Sequence, residues 1–501
     1  MRIAFVSSEV RPFSQTGGLA DVSEALPAAL AALGCDVTVI SPLYRNAAEA
    51  LARLDEPLDT IEGPPVPTAG APQPLRYRTL KRAGCRLVFV EHAGFYDRPN
   101  LYVDSSGADY ADNVARFAFL CRAALAYHGA RPPDMFHCND WQTALLPVYL
   151  RAAGRTDTRS LMTIHNLGYQ GLSPATDLAA AQLDASWFHI DGLEFYGRLN
   201  LLKGGLLYAD AITAVSPSYA EEIQTPLAGW GLDGVLRAQR HKLRGILNGI
   251  DVARWNPAED PHIAKRYSAD DLAGKAACKR ALQRRSGLPL ERNAFLMGAI
   301  SRFDAQKGLP LICDAFPIVA PLGAQLVVLG SGDPAIAARV RTLAAAYPGQ
   351  VSATIGFDDA YAHQIEAGAD AFLMPSAYEP CGLNQMYSQR YGTVPIVHAT
   401  GGLKDTVTDY SPERLAAGQA SGFRFDVFDA AHVAAAMLRA WRVYRETPRS
   451  WRRLMVDIMR LDNSWARSAR AYLALYQTLA PPARPARQRR AATPPAGRAR
   501  G

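Results

Sequence analysis

The residues of this chain best suited to chemistry stand just after short apolar runs. Glu379-Pro380-Cys381-Gly382-Leu383-Asn384-Gln385 follows Ala371-Phe372-Leu373-Met374 and opens onto a helical pattern. A lone carboxylate thus falls at a strand-to-helix crossing. Gly382 lets the backbone approach a ligand closely, and the helix start offers free N–H groups to an anion. Ser301-Arg302-Phe303-Asp304-Ala305-Gln306-Lys307-Gly308 follows the apolar run at 294–300 in the same manner. Arg302 brings a planar fork for phosphate and Lys307 a point charge. Two cations beside a helix start can neutralise a diphosphate leaving group without a metal. Two exposed basic residues on a loop would read the same way; the glycine-started helix next to them favours the functional reading.

Other polar clusters occupy equivalent places. Thr16-Gly17-Gly18-Leu19-Ala20-Asp21 comes after the first apolar run and is nearly repeated by Thr400-Gly401-Gly402-Leu403-Lys404-Asp405. Neither is a dinucleotide fingerprint, but paired glycines opening a helix permit close contact with phosphate or sugar oxygens. His137-Cys138-Asn139-Asp140-Trp141-Gln142 and Ile164-His165-Asn166-Leu167-Gly168-Tyr169 each end a strand-like run. A zinc site from His137, Cys138, Asp140 and His165 lacks ligand spacing. Cys381 has no base near it in sequence, so it reads as a small residue in a tight turn rather than a nucleophile.

These residues need elements to hold them. Strands are predicted at 3–7, 37–40, 86–90, 135–138, 160–164, 211–215 and 243–247, with helices at 19–33, 109–128, 141–153, 199–209 and 232–241. The second half repeats the logic, with strands at 294–300, 325–329, 351–355, 371–374 and 394–398. Helices at 308–319, 334–346, 358–367 and 382–391 separate them, and 430–478 reads as terminal helices. Apolar strands alternating with helices indicate parallel sheets covered on both faces. Two doubly wound, Rossmann-like α/β domains then face each other across a deep cleft, with ligands beyond the carboxyl ends of the strands. The predicted divisions are 1–247, 248–455, terminal helices at 456–480, and a tail at 481–501.

Composition sets the outer limits. The chain has 501 residues, 49% of them hydrophobic and 20% charged, and no apolar run long enough to span a membrane. It opens directly on a strand-like run, which points to the cytoplasm. Seven scattered cysteines without a C-x-x-C pair suit a reducing compartment. Of the net charge of +7, six charges are arginines within 481–501, a Pro/Ala/Arg/Gly stretch with the composition of a disordered tail. The rest is nearly neutral, so neither nucleic acid nor membrane is an expected partner.

Together the motifs resemble bacterial glycogen synthases and plant starch synthases, retaining glycosyltransferases of the two-domain GT-B fold. The matching pieces are Thr16–Asp21, Phe95-Tyr96-Asp97-Arg98-Pro99, Asn139-Asp140-Trp141, Ile164-His165-Asn166, Leu247-Asn248-Gly249-Ile250-Asp251, Ser301–Gly308, Glu379–Leu383, Tyr391-Gly392-Thr393-Val394-Pro395 and Thr400–Val407. They keep the family order over 1–478, and the resemblance implies that the helices at 456–480 pack back on the first domain. The resemblance implies transfer of glucose from ADP-glucose to the non-reducing end of an α-1,4-glucan, glycogen or a maltooligosaccharide, with retention and with no cofactor or metal. It implies that Arg302 and Lys307 hold the diphosphate, helped by backbone at Gly17, Gly18, Cys381, Gly382 and Leu383. Glu379 would hydrogen-bond the donor glucose, with His165 beside it. Asp140, Asn248 and Tyr96 would line the sugar and acceptor side, and Phe357 would stack on adenine.

Three positions depart from the family pattern. Gln15 stands where a donor-contacting lysine is usual, Ala377 where arginine is frequent, and Tyr387 where the wider GT-B class has a second carboxylate. With no second carboxylate to act as nucleophile, a front-face mechanism is favoured, in which the acceptor hydroxyl attacks the face from which the diphosphate leaves. A glycoside hydrolase would need a flanking pair of carboxylates, which the sequence does not suggest.

Overall fold

The computed structural model describes residues 1–54 and 56–479. The arginines of 481–501 lie outside the described residues.

The first half builds a nine-stranded sheet. Its strands are β1 (Arg2–Val6), β2 (Asp36–Pro42), β3 (Asp59–Val66), β4 (Gln73–Arg82), β5 (Cys85–Glu91), β6 (Met135–Asn139) and β7 (Arg159–Ile164). After a small antiparallel sheet of β8 (Leu172–Pro174), β9 (Glu194–Phe195) and β10 (Arg198–Asn200) come β11 (Ala211–Ala214) and β12 (Leu243–Gly245). The order of the large sheet is β12-β11-β7-β6-β1-β2-β5-β4-β3. The strands from β12 to β5 are parallel, whereas β3 and β4 add antiparallel strands at one edge. Ile3-Ala4-Phe5-Val6 is buried on both faces, as a central parallel strand between helix layers must be.

The edge hairpin was not foreseen. Pro64 and Pro65 fall in β3, and the pairing with β4 shifts register between Gly63 and Val66. Proline cannot donate to a ladder and is tolerated at an edge or bulge, so the stretch reads as a loop in sequence. The helix expected over 141–153 divides into a 3-10 turn, Trp141–Thr143, and a helix, Leu145–Ala152.

The second half forms a six-stranded parallel sheet. It comprises β13 (Phe295–Phe303), β14 (Ala324–Gly332), β15 (Val351–Ile355), β16 (Ala371–Met374), β17 (Val394–His398) and β18 (Phe423–Phe425), in the order β15-β14-β13-β16-β17-β18. Both sheets reverse direction of winding beside a central strand, between β1 and β6 in the first and between β13 and β16 in the second. Such switch points open a crevice at the carboxyl ends of the strands.

The chain crosses back at its end. Helix Pro448–Met459 buries Trp451, Leu454 and Ile458 in the core of the second sheet. Helix Trp465–Leu479 instead buries Trp465, Ala469, Tyr472 and Tyr476 in the core built around β1. Tyr476 O–H and His137 Nδ1 lie 2.6 Å apart, and Ser468 Oγ donates to the Leu247 carbonyl at 2.6 Å. The domains are also latched beside the crevice. Ser218 gives its N–H and its hydroxyl to the Asp405 carboxylate at 2.8 and 2.7 Å, and Ser216 Oγ donates to the Pro380 carbonyl at 2.6 Å.

Candidate active site

The two crevices face one another, and a cavity of about 260 Å³ lies between them, lined from the first domain by Thr16 and Gly17. From the second domain come Arg302, Lys307, Ser376, Glu379, Gly382 and Leu383 among others. Three helices begin on this lining: Gly18–Ala32, Leu309–Val319 and Asn384–Arg390. Their N-cap residues are Gly17, Gly308 and Leu383, and none makes a side-chain cap hydrogen bond. Each start therefore presents backbone N–H groups and the positive end of a helix dipole to the same space.

Glu379 is 7% exposed. Its Oε2 accepts from Lys307 Nζ at 2.6 Å and from Ser376 Oγ at 3.0 Å. Arg302 stands exposed at the end of β13 and lines both this cavity and a second, more open one of about 450 Å³ with Asp304, Ser331 and Asp333. Gly308 sets the approach of the two segments. Its φ is +67°, and a Cβ there would lie 1.9 Å from the Pro375 carbonyl oxygen. Only glycine lets the Arg302–Lys307 loop pack so tightly against the strand end that carries Ser376 and Glu379.

The two Thr-Gly-Gly-Leu loops prove to be built alike. Glu9 accepts from Thr16 N–H at 2.6 Å, Thr16 Oγ1 at 2.5 Å and Gly17 N–H at 3.3 Å. Glu222 accepts from Gly401 N–H at 2.8 Å and Thr400 Oγ1 at 3.3 Å. The outcomes differ. Gly401 N–H is the first helical donor, so Glu222 fills the anion position of the second loop. Glu9 binds the first loop ahead of its helix, at the N–H groups of Thr16 and Gly17, and the helix itself starts at Gly18, beside the cavity lining. The second loop serves as a wall: Gly402 N–H donates to the Glu379 carbonyl at 3.0 Å, and a Cβ on Gly402 would lie 2.1 Å from the Cys381 carbonyl oxygen.

Across the crevice, Asp140 holds φ at +55°, a left-handed conformation rare for a residue with a side chain. Its Oδ1 accepts from His165 N–H at 2.7 Å. Burial pushes its carboxyl up to about 7, against the pull of the His165 and Asn166 N–H groups. Asn139 Nδ2 donates to the Val6 and His137 carbonyls, at 3.0 and 3.4 Å, which directs Oδ1 at His165 Nε2, 2.9 Å away. His165 thus donates from Nε2 and keeps a lone pair on Nδ1. Burial pushes it down to about 3, so the ring is neutral at ordinary pH.

Tyr96 and Gln15 stand off the cavity lining. Tyr96 is fully buried and its hydroxyl donates to the Arg116 carbonyl at 2.8 Å. It belongs to the core behind the crevice, not to its surface; an apolar ring with one satisfied polar tip packs there without loss. Gln15 is not on the cavity lining: its Nε2 donates to Asp21 Oδ2 at 3.3 Å, where Arg11 also binds at 2.8 Å. Cys381 is buried, and burial raises its thiol to about 12, so it is no nucleophile. Asn248 is buried at the domain junction, with Oδ1 lacking a partner among the described residues. Phe357 is 87% exposed, just past the carboxyl end of β15. Tyr387 stacks on Trp255, ring centroids 3.9 Å apart. His137 has both ring nitrogens within 2.6 Å of hydroxyls, Tyr476 and Thr163, and is no metal ligand. Among the described residues no group of three or more His, Cys, Asp or Glu could hold a metal ion. Glu9 and Ser376 were missed, although a carboxylate immediately after the first strand was a visible signal for Glu9.

Comparison with known proteins decides the family. Residues 2–238 match the family model described as the starch synthase catalytic domain, and 279–453 match glycosyl transferases group 1. A glycogen synthase of Anaeromyxobacter dehalogenans is 48% identical, covering 96% of this chain and 100% of that protein. The chain belongs to the glycogen synthase family. A glycogen synthase of Acidiphilium cryptum is 46% identical over 96% of this chain and 99% of its own length. Among solved structures, the catalytic domain of starch synthase IV from Arabidopsis thaliana, bound to ADP and acarbose, superposes with a TM-score of 0.85 at 32% identity, covering 95% of this chain and 98% of that one. A sucrose-phosphate synthase from Thermosynechococcus elongatus shares the fold, with a TM-score of 0.58 at 21% identity. The architecture is GT-B, and the glycogen synthase family member described here is a glycosyltransferase.

Proposed function

We propose that the protein transfers glucose from ADP-glucose to the non-reducing end of an α-1,4-glucan, with retention, releasing ADP. The observation that carries this reading is the cavity where three uncapped helix starts, Arg302 and Lys307 converge on one carboxylate, Glu379. Breaking a sugar–diphosphate bond builds negative charge on the leaving group. Fixed donors and cations stabilise that charge without reorganising during the reaction. The diphosphate lies against Arg302, Lys307 and the backbone at Gly18, Gly382 and Leu383. Lys307 then exchanges part of its contact with Glu379 for phosphate oxygen, and the carboxylate turns to the donor glucose. Neutral His165 offers Nδ1 to a sugar hydroxyl, and Asp140 stands on the acceptor side with Asn248. The open cavity beyond Arg302 takes the nucleoside, and Phe357 supplies an exposed ring for the base.

The acceptor hydroxyl attacks the anomeric carbon from the face the diphosphate leaves. Its proton passes to the departing phosphate oxygen as the C1–O bond breaks. Glycogen or a maltooligosaccharide is the acceptor, and the enzyme works in the cytoplasm, where seven unpaired thiols are stable. Purified protein given labelled ADP-glucose and glycogen is expected to move label into polymer and release ADP. No incorporation from ADP-glucose, with incorporation from UDP-glucose, would overturn the donor assignment. No incorporation from either would overturn the reaction.

A further inference from the structure

Two exposed aromatic rings stand beside the active site on backbone that side chains rarely adopt. Trp230 is 52% exposed and Tyr196 is 83% exposed, and each has φ of +50°. Each is followed by a glycine that is also left-handed, Gly231 at +80° and Gly197 at +76°. Leu232 N–H closes the first turn on the Gly229 carbonyl at 2.7 Å, and Phe195 pairs with Arg198 across the second. Both are two-residue turns with the paired positive φ values of type I′, where Asn-Gly is the favoured sequence. A large aromatic there is strained, and its exposure means that the fold recovers little from burying it.

The two turns are neighbours. A Cβ on Gly231 would lie 3.0 Å from Phe195 Cζ and 3.8 Å from Tyr196 Cε2, and one on Gly168 would lie 3.6 Å from Trp230 Cε2. Tyr169, next to Gly168, is 61% exposed. Trp230 also meets Tyr378 edge-on across the domain boundary, ring centroids 6.1 Å apart at 69°. Tyr378 immediately precedes Glu379. The turns are held firmly: Gln170 Nε2 donates to the Trp230 carbonyl at 3.1 Å, and Gly197 N–H donates to Glu194 Oε1 at 2.7 Å.

We propose that Trp230, Tyr196 and Tyr169 form a rail that binds the acceptor chain several units from its reacting end and thereby sets the preference for long over short glucans. The rail rests on the glucan-acceptor reading above. Each pyranose unit shows an apolar C–H face, which packs on an aromatic face while its hydroxyls stay in water. Rings set in fixed, rigid turns lose little entropy on binding. Trp230, at the inner end of the rail, meets the ring of Tyr378, the residue before Glu379, so a chain whose end occupies the site has its following units available to the rail.

Tyr196→Asn and Trp230→Asn are the variants of choice, because asparagine suits the left-handed turn and removes only the ring. Two measurements are made. The first is KM for maltotriose and for maltoheptaose at saturating ADP-glucose; the advantage of the longer acceptor is expected to shrink roughly fivefold in each variant. The second needs no catalysis: wild type is expected to be retarded by glycogen in a native gel, and Tyr196→Asn less so. An unchanged ratio of the two KM values with equal retardation would overturn the rail. So would a wild type that glycogen does not retard, or self-association lost in the variants while glycogen retardation stays the same. Retardation without any glucose transfer would leave the rail standing and sink the reaction instead.

Discussion

Lys307 has two claimants, Glu379 in the folded protein and the diphosphate in the proposed reaction. Replacing Lys307 and replacing Glu379 should therefore affect donor affinity differently. Lys307→Ala leaves a buried carboxylate without its cation and is expected to raise KM for ADP-glucose while lowering kcat by about 10²–10³. Glu379→Gln keeps an acceptor for Ser376 and releases the ammonium, so kcat should fall by about 10² without a rise in KM. Steady-state kinetics on both variants checks this; equal KM values would show that Lys307 does not hold the donor. The titrating groups separate just as clearly. His165, pushed down to about 3, stays neutral through the working range and should contribute no limb near 6.5 to the rate profile. Asp140, pushed up to about 7, should contribute one, lost in Asp140→Asn. The folded protein holds the Asp140 proton between the ordinary carboxylate range and about 7, whereas the unfolded chain has released it. Stability from this group therefore falls as pH rises through that window, and Asp140→Asn should gain at pH 8 relative to pH 5 in melting scans. That Arg302, Lys307 and Glu379 share one crevice was legible from their residue types and their positions after apolar runs. Tyr96 was not, because a motif position does not say which way a ring points.

Glycine decides geometry at the level of the element. The end of β13 and the end of β16 meet only because position 308 has no side chain. Gly308→Ala adds a clash to a left-handed φ and should cost at least about 2 kcal/mol of stability, with loss of transfer activity, read by denaturant titration and by the glucan assay. Full stability with full activity would mean that the loop relaxes without moving Arg302 and Lys307. The parallel strands other than β18 were legible from their apolar runs, since strands buried on both faces leave nothing else to read; β18 is only three residues long and was not. The hairpin β3–β4 was hidden by its prolines, and the small sheet β8–β10 by strands of two or three residues. The likeness of the two glycine loops was visible in sequence, but their difference was not. It depends on which backbone N–H a glutamate from another element reaches, a long-range fact.

At the scale of the whole molecule, the latch of Ser218 on Asp405 and of Glu222 on Gly401 sets how the two halves meet. Each is a charge-assisted bond, for which about 1.5–3 kcal/mol is typical. Asp405→Ala is expected to loosen the crevice, enlarge the radius of gyration in solution scattering and raise KM for ADP-glucose about tenfold. An unchanged scattering profile would show that the final helix holds the halves together without the latch. That helix, Trp465–Leu479, was foreseeable as a helix from its apolar spacing, but its place in the first core was not derivable from local pattern. Its position also fixes a schedule for the chain as it leaves the ribosome. Strands β1, β6 and β7 emerge early, yet the groove that receives Tyr472 and Tyr476 stays empty until nearly the whole polypeptide has been made. At ordinary synthesis rates that interval is roughly fifteen to sixty seconds. The nascent first domain thus passes through a period of unprotected apolar surface, and a chain broken off before its last helix cannot complete the domain with which it began.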